Sequence, residues 1–135
     1  MPENTFHLKI ITPGKVLASE DVDTVEAPGI DGEFQILAGH TPFLTGLDIG
    51  PVIFSKSGQR SLISISGGFC EVMPDKTVIL AQAAELSKDI DKSRAEEARK
   101  RAKKRLESDD DSIDEARAKK ALFRALNRLR VADMK

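Results

Sequence analysis

Residues 89–106 read DIDKSRAEEARKRAKKRL. Eight of these residues are Lys or Arg, and the only large apolar ones are Ile90 and Leu106. Ile90, Ala95, Ala98, Ala102 and Leu106 recur at helical spacing, so the stretch predicts a basic helix with an alanine-lined face. Such a helix buries little area and builds no core of its own. At about 25 cal/mol per Å² of apolar surface, an alanine seam contributes far less than a leucine seam. The fold therefore turns on what lies on either side of it.

Upstream, the chain is written in strand grammar. Phe6, Leu8 and Ile10 alternate with His7 and Lys9, the period-2 pattern of a half-buried strand. SLISIS (61–66) alternates less strictly, and VIF (52–54) and VIL (78–80) are apolar runs of strand length. Pro13-Gly14, Pro28-Gly29, Asp31-Gly32, Ser57-Gly58, Gly67-Gly68 and Pro74-Asp75 punctuate them as turn signals. Strands at this spacing without intervening helical pattern predict an antiparallel β-sandwich or barrel of eight to ten strands over residues 1–86.

From Ala83 onward there is no Gly and no Pro. SDDDS (108–112) interrupts the helical pattern, and Ser112 with Glu115 has capping-box spacing. Asp109, Asp110 and Asp111 would favour the positive end of a second helix. That helix carries Ala118, Ala121, Leu122, Ala125, Leu129 and Ala132 on one face. Residues 87–135 thus predict an antiparallel α-helical hairpin.

The 135 residues have a net charge of −1, which argues against wholesale nucleic-acid binding. The total conceals a division: residues 1–86 carry 5 Lys and Arg against 11 Asp and Glu, and residues 87–135 carry 16 against 11. Two modules with different partners are expected. Cys70 is the only cysteine, so no internal disulfide is possible. The start of the chain has no signal-peptide pattern, and no apolar run is long enough to span a bilayer. There is no P-loop, no Cys/His cluster at zinc spacing, and His7 and His40 stand far apart. Cys70, in the strand-like FCEVM, reads as a buried structural thiol. Neither a catalytic residue nor a metal ligand is expected.

Four blocks, GEFQILAGHTPF (32–43), SGGFCEV (66–72), TVILAQAAE (77–85) and RALNRLRVADMK (124–135), resemble the epsilon subunit of bacterial F-type ATP synthase, in order and at matching spacing. Gln35 and Ala38 depart from the commoner pattern, which has Gly and Pro there. The resemblance implies a non-catalytic rotor subunit, peripheral on the cytoplasmic face of the bacterial cell membrane. Its sandwich would bind the gamma subunit and rest on the c-ring, with Glu33 and His40 in the loop turned to that ring. Its hairpin would lie against the sandwich in one state. In the other it would extend into the alpha/beta catalytic hexamer and inhibit ATP hydrolysis, with Lys100, Lys103, Lys104 and Arg105 meeting acidic surface there.

IDKSRA (90–95) resembles the I/L-D-x-x-R-A motif of those epsilon subunits that bind ATP. The resemblance implies ATP as a regulatory ligand, with or without Mg²⁺, held by Glu85, Ile90, Asp91, Arg94, Ala95, Arg101, Arg124 and Arg128. Spacing is compatible. Arg94 and Arg101 stand two turns apart, and Arg124 and Arg128 one turn apart. Convergence of the two faces would surround one pocket with four guanidiniums, whose forks match phosphate oxygens. Glu85 and Asp91 would accept from the adenosine end. The competing reading is a solvated basic face with pairs such as Asp91–Arg94 and Glu97–Arg101. An epsilon subunit that binds no nucleotide would follow from it; a separate alternative is a free-standing nucleic-acid-binding module that uses the basic hairpin. The latter lacks the aromatic platforms that single-strand binders use.

Overall fold

A computed structural model of the chain describes residues 4–134. Eight strands come first: β1 (Phe6–Thr12), β2 (Lys15–Val22), β3 (Thr24–Gly29), β4 (Gly32–Leu37), β5 (Phe43–Lys56), β6 (Gln59–Met73), β7 (Lys76–Ala81) and β8 (Ala84–Leu86). A 3-10 turn, Ser87–Asp89, leads to α1 (Lys92–Leu106) and α2 (Glu115–Asp133). The strands run β2-β1-β7-β6-β5-β3-β4, with β8 also on β6. The β1–β7 pair is parallel and the others are antiparallel.

The count is eight, at the low end of the eight to ten expected, because β5 and β6 each serve both layers of the sandwich. They pair along their whole length, from Phe43↔Val72 to Lys56↔Gln59. One half of β6 also holds β7, through residues from Gly68 to Met73, and the other holds β8 at Ile63, Ser64 and Ile65. Gly67 and Gly68, expected as a turn, lie inside β6 with φ of 91° and 141°. They form the bend that carries one strand from layer to layer, a positive-φ backbone that glycine adopts without a Cβ penalty.

Phe6, Leu8 and Ile10 point into the core as their alternation predicts, beside Val22, Val25, Ile36, Val52, Ile63, Ile65 and Ile79. The irregular SLISIS has a physical cause. Ile63 and Ile65 face the sandwich core, while Leu62 packs with Ile90 and Val131 in a second cluster. This part of β6 is buried on both faces, because α2 covers its outer side.

The hairpin is held mainly through α2. Helix α1 packs on α2, and α2 packs on β5 and β6. Buried residues of α1 are only Ala95 and Ala102. Those of α2 are Ala118, Ala125, Asn127 and Val131. Ile90 precedes α1 instead of belonging to its stripe, and Asp91 is the N-cap, accepting from the Arg94 backbone N–H at 3.1 Å. Such a cap satisfies one of the unpaired donors of the first turn. The Ser112–Glu115 capping box does not form. A turn brings the Ile113 N–H to the Asp110 carbonyl and the Ser112 N–H to Asp110 Oδ1, so α2 begins later. Asp114 caps it through the Arg117 N–H, also at 3.1 Å.

Candidate functional site

Where α1, α2 and the sandwich meet there is an open groove of about 350 Å³. Ser64 and Ile65 of β6, Glu85 of β8, Ala98 of α1, and Arg124 and Arg128 of α2 line it, with small residues between them. Alanines at Ala84, Ala98, Ala121 and Ala125 keep the floor low and apolar. The charge sits on one wall. Arg128 grips the Glu85 carboxylate with two prongs, Nε to Oε1 at 2.6 Å and Nη2 to Oε2 at 3.2 Å, and both side chains are about one-third exposed. A two-pronged guanidinium–carboxylate pair is both stronger and more directional than a single bond. Arg124 stands one turn before it, exposed, beside the same groove.

Of the eight residues expected to bind nucleotide, the structure therefore brings Glu85, Arg124 and Arg128 together. Ile90 is in the Leu62–Val131 cluster, and Asp91 is engaged as the helix cap. Ala95 is fully buried in α1, one turn before Ala98. Arg94 and Arg101 are exposed and line none of this groove, so four guanidiniums do not converge. Arg101 instead borders a shallow recess with Lys104, Arg105, Ser108 and Ile113. The physical reason is helix geometry: Ala95 and Ala102 take the buried face of α1, and Arg94 and Arg101, each one residue before them, stand about 100° round the helix on its exposed side. Arg94 and Arg101 flank Ala98 by four and three positions, so they stand at either end of the groove's α1 wall. The pairing along α1 is Arg99 with Glu96 rather than Glu97 with Arg101. Ala98 and Asn127 were not anticipated as site residues. The one signal that could have found Asn127 is an amide inside an otherwise apolar or basic run, RALNRLRV.

Cys70 is fully buried, and burial pushes its thiol up to about 12, which leaves it protonated and inert at neutral pH. His7 lies between Asp21, at 3.1 Å from Nδ1, and Ser19, at 3.0 Å from Nε2. These residues tie β1 to β2 on an open hairpin face.

Glu33 and His40 do not share a loop. Glu33 belongs to β4, opposite Pro28, because the β3–β4 hairpin closes tightly at Gly29↔Gly32. His40 follows β4, its Nδ1–H donating to the Thr41 carbonyl at 2.7 Å and its ring tilted on Phe43. β4 is an edge strand, and Glu33 is exposed on it.

A second feature is an apolar row across the outside of the sandwich. Val16 pairs with Ile11, Ile11 with Leu80, Leu80 with Phe69, and Phe69 with Gly46. Ile30 lies over Gly46, its N–H bonded to the Gly46 carbonyl. Val16 is 55%, Leu80 49%, Phe69 60% and Ile30 62% exposed. Contiguous apolar surface of this kind marks a protein contact more often than solvent.

A β-sandwich with an exposed apolar row, carrying a basic helical hairpin packed on β5 and β6, has the layout of a docking module. The beta-sandwich domain of the ATP synthase delta/epsilon chain matches residues 5–87, and the long alpha-helix domain of the same family matches residues 88–133. The chain belongs to that family, whose members are non-catalytic subunits of the complex. It is 46% identical over 129 residues to the ATP synthase epsilon chain of Nitratidesulfovibrio vulgaris, covering 96% of each. Its fold resembles a chain of the Euglena gracilis mitochondrial ATP synthase (OSCP/F1/c-ring) with a TM-score of 0.80 at 24% identity, covering 93% of this chain and 81% of that one. It also resembles a chain of the central stalk and c-ring of the Tetrahymena thermophila enzyme with a TM-score of 0.58 at 16% identity, covering 98% and 96%. Among the described residues no helix is long and apolar enough to cross a membrane.

Proposed function

We propose that this chain is a central-stalk rotor subunit of a bacterial F-type ATP synthase, and that its hairpin inhibits ATP hydrolysis and senses ATP. The observation that carries the reading is the groove between hairpin and sandwich, with Glu85, Arg124 and Arg128 on its wall. Its volume is within the range of small-ligand sites. Arg124 and Arg128 would take phosphate oxygens, and the Glu85 carboxylate would accept from the adenosine end once Arg128 turns to phosphate. Arg94 and Arg101, long side chains at the two ends of the α1 wall, would close on the phosphates from there. A ligand bridging both helices and the sandwich favours the compact hairpin, because only that state assembles its contacts.

The extended state follows from the same weakness. α1 buries two alanines, and its basic face is exposed in the compact fold. Lys100, Lys103, Lys104 and Arg105 are exposed and suit acidic surface on the alpha/beta hexamer. Removing residues 87–135 is expected to leave a folded sandwich, whose main core lies wholly within residues 6–81. The reconstituted complex should then hydrolyse ATP faster than with the full chain. Equal hydrolysis rates would remove the inhibitory reading.

The sandwich would dock on gamma through the Val16–Leu80–Phe69–Ile30 row, and rest its β4 edge, with Glu33 and His40, on the c-ring. These contacts would place it peripherally, at the cytoplasmic face of the membrane. Phe69→Asp is expected to weaken gamma binding at least tenfold. Burying a Phe is worth about 1.5–3 kcal/mol, and a decade needs about 1.4. Phe69 is outside the core, so the thermal midpoint of the isolated chain should hold. Titration showing unaltered gamma affinity would move the docking face elsewhere.

A further inference from the structure

Asn127 is the buried polar side chain of α2, and we propose that it is the positioning residue that clamps the hairpin onto the sandwich. Its Nδ2 donates to the Gly50 carbonyl at 2.9 Å and to Ser64 Oγ at 3.0 Å, with the Ile65 carbonyl at 3.4 Å. Gly50 and Ile65 are cross-strand partners of β5 and β6. One amide therefore grips both long strands at a single rung, where α2 crosses them. Asn127 is 8% exposed.

The other polar holds on α2 are to the short β8 strand and to the segment from Ser87 to the first residue of α1. The two-pronged Arg128–Glu85 pair joins two partly exposed side chains and fixes α2 to β8, not to the long strands. Val131 makes an apolar contact with Leu62 and Ile90, and Ser87 Oγ donates to the Val131 carbonyl at 3.1 Å. Lys92 bridges to Asp133, but both are more than 60% exposed, and such pairs stabilise little. Apolar contact tolerates sliding and rotation of a helix, whereas hydrogen bonds to fixed backbone carbonyls do not. Asn127 thus sets both the register and the rotation of α2. It also sits between Arg124 and Arg128, and the Ser64 and Ile65 it grips line the groove. Seating Asn127 places the two arginines at that groove. The effect on nucleotide affinity rests on the nucleotide reading given above; the clamp itself does not.

Hydrogen exchange of the full-length isolated chain, first without nucleotide and then across an ATP titration, tests this. Asn127→Leu keeps the volume but covers Ser64 Oγ and two carbonyls with apolar carbon, a penalty on the compact state alone. Amides of α2 should exchange at least tenfold faster, while those of β1 and β7 keep their wild-type rates. The ATP concentration needed to restore protection should rise at least tenfold. Asn127→Asp, isosteric and soluble, turns an acceptor toward the carbonyls and should do the same if the leucine variant aggregates. Ser64→Ala should give a smaller acceleration of the same amides, and none further on top of Asn127→Leu. Wild-type exchange of α2 in both Asn127 variants would overturn the clamp. Equal acceleration throughout the sandwich would also overturn it, in favour of a general core role. Faster α2 exchange with an unmoved ATP dependence would uphold the clamp and overturn its link to the groove.

Discussion

Gly68→Ala is expected to unfold the sandwich, or to leave it too unstable to isolate. A Cβ on Gly68 would lie 2.0 Å from the Leu80 carbonyl oxygen and 2.9 Å from the Ala81 Cα, both backbone atoms of the neighbouring strand. Neither can swing away as a side chain would. The φ of 141° is itself closed to L-residues. Relief requires β6 and β7 to part at Gly68↔Ala81, the rung beside the bend. The cost should exceed about 4 kcal/mol, the range reserved for a few severe mechanisms. Domains of this size hold only about 5–15 kcal/mol in total. Gly58→Ala is the control. Its φ of 83° is also positive, but an added Cβ would meet nothing within 4 Å. It should cost about 1 kcal/mol, from backbone conformation alone. Urea unfolding of the two variants should therefore separate them by at least about 3 kcal/mol. Similar midpoints would mean that the bend at Gly68 is not fixed as described.

The same glycine pair shows why the layout was legible and the strand boundaries were not. Two consecutive glycines between apolar runs are a turn signal, and nothing local distinguishes a turn from a bend that keeps pairing on both sides. The distinction is made by β5, which pairs with β6 on both sides of the bend, at Leu47↔Gly68 and at Ile49↔Ser66. SLISIS carried a warning of this kind. Its apolar residues on both faces required a second covering layer, and the only amphipathic elements left in the chain were the two helices. Strand-to-helix order and the hairpin were readable because periodicity is local. The groove was readable only in part. Arg124 and Arg128 share a helix face by spacing, and Glu85 lies on β8, which pairs beside Ser64 on β6. The role of Asp91 was ambiguous in the sequence because its spacing to Arg94 suits an N-cap as well as an ion pair. The backbone N–H took precedence. Asn127 was overlooked because a helix-face count weighs apolar residues, and its three acceptors come from residues at least 62 positions away.

Arg124→Ala combined with Arg128→Ala is expected to weaken ATP binding to the isolated chain by at least about a hundredfold. Each lost hydrogen bond to a charged group is worth about 1.5–3 kcal/mol, and two decades require about 2.7. The double change also frees Glu85, leaving an unpaired carboxylate beside the position the phosphates would occupy, which adds repulsion. Glu85→Gln separates the two effects. It releases Arg128 from its two-pronged grip while keeping an acceptor, so ATP affinity should hold or rise. The motif residues need a different comparison, because Asp91 caps α1. Asp91→Ala with Arg94→Ala would lower affinity by up to roughly thirtyfold even if neither touched ATP, since losing a cap costs about 0.5–2 kcal/mol of helix stability. Asp91→Ser keeps the cap. If affinity falls with Asp91→Ser while α1 keeps its helicity, the carboxylate itself meets the nucleotide. If affinity is retained, Asp91 serves ATP only by starting the helix that carries Arg94, Ala98 and Arg101. In the assembled synthase the Arg124/Arg128 double mutant should stay inhibited as ATP rises, because ATP no longer discriminates the compact hairpin from the extended one. Calorimetry showing wild-type affinity in that mutant would leave the groove without a nucleotide and return the hairpin to a switch driven by its protein partners alone.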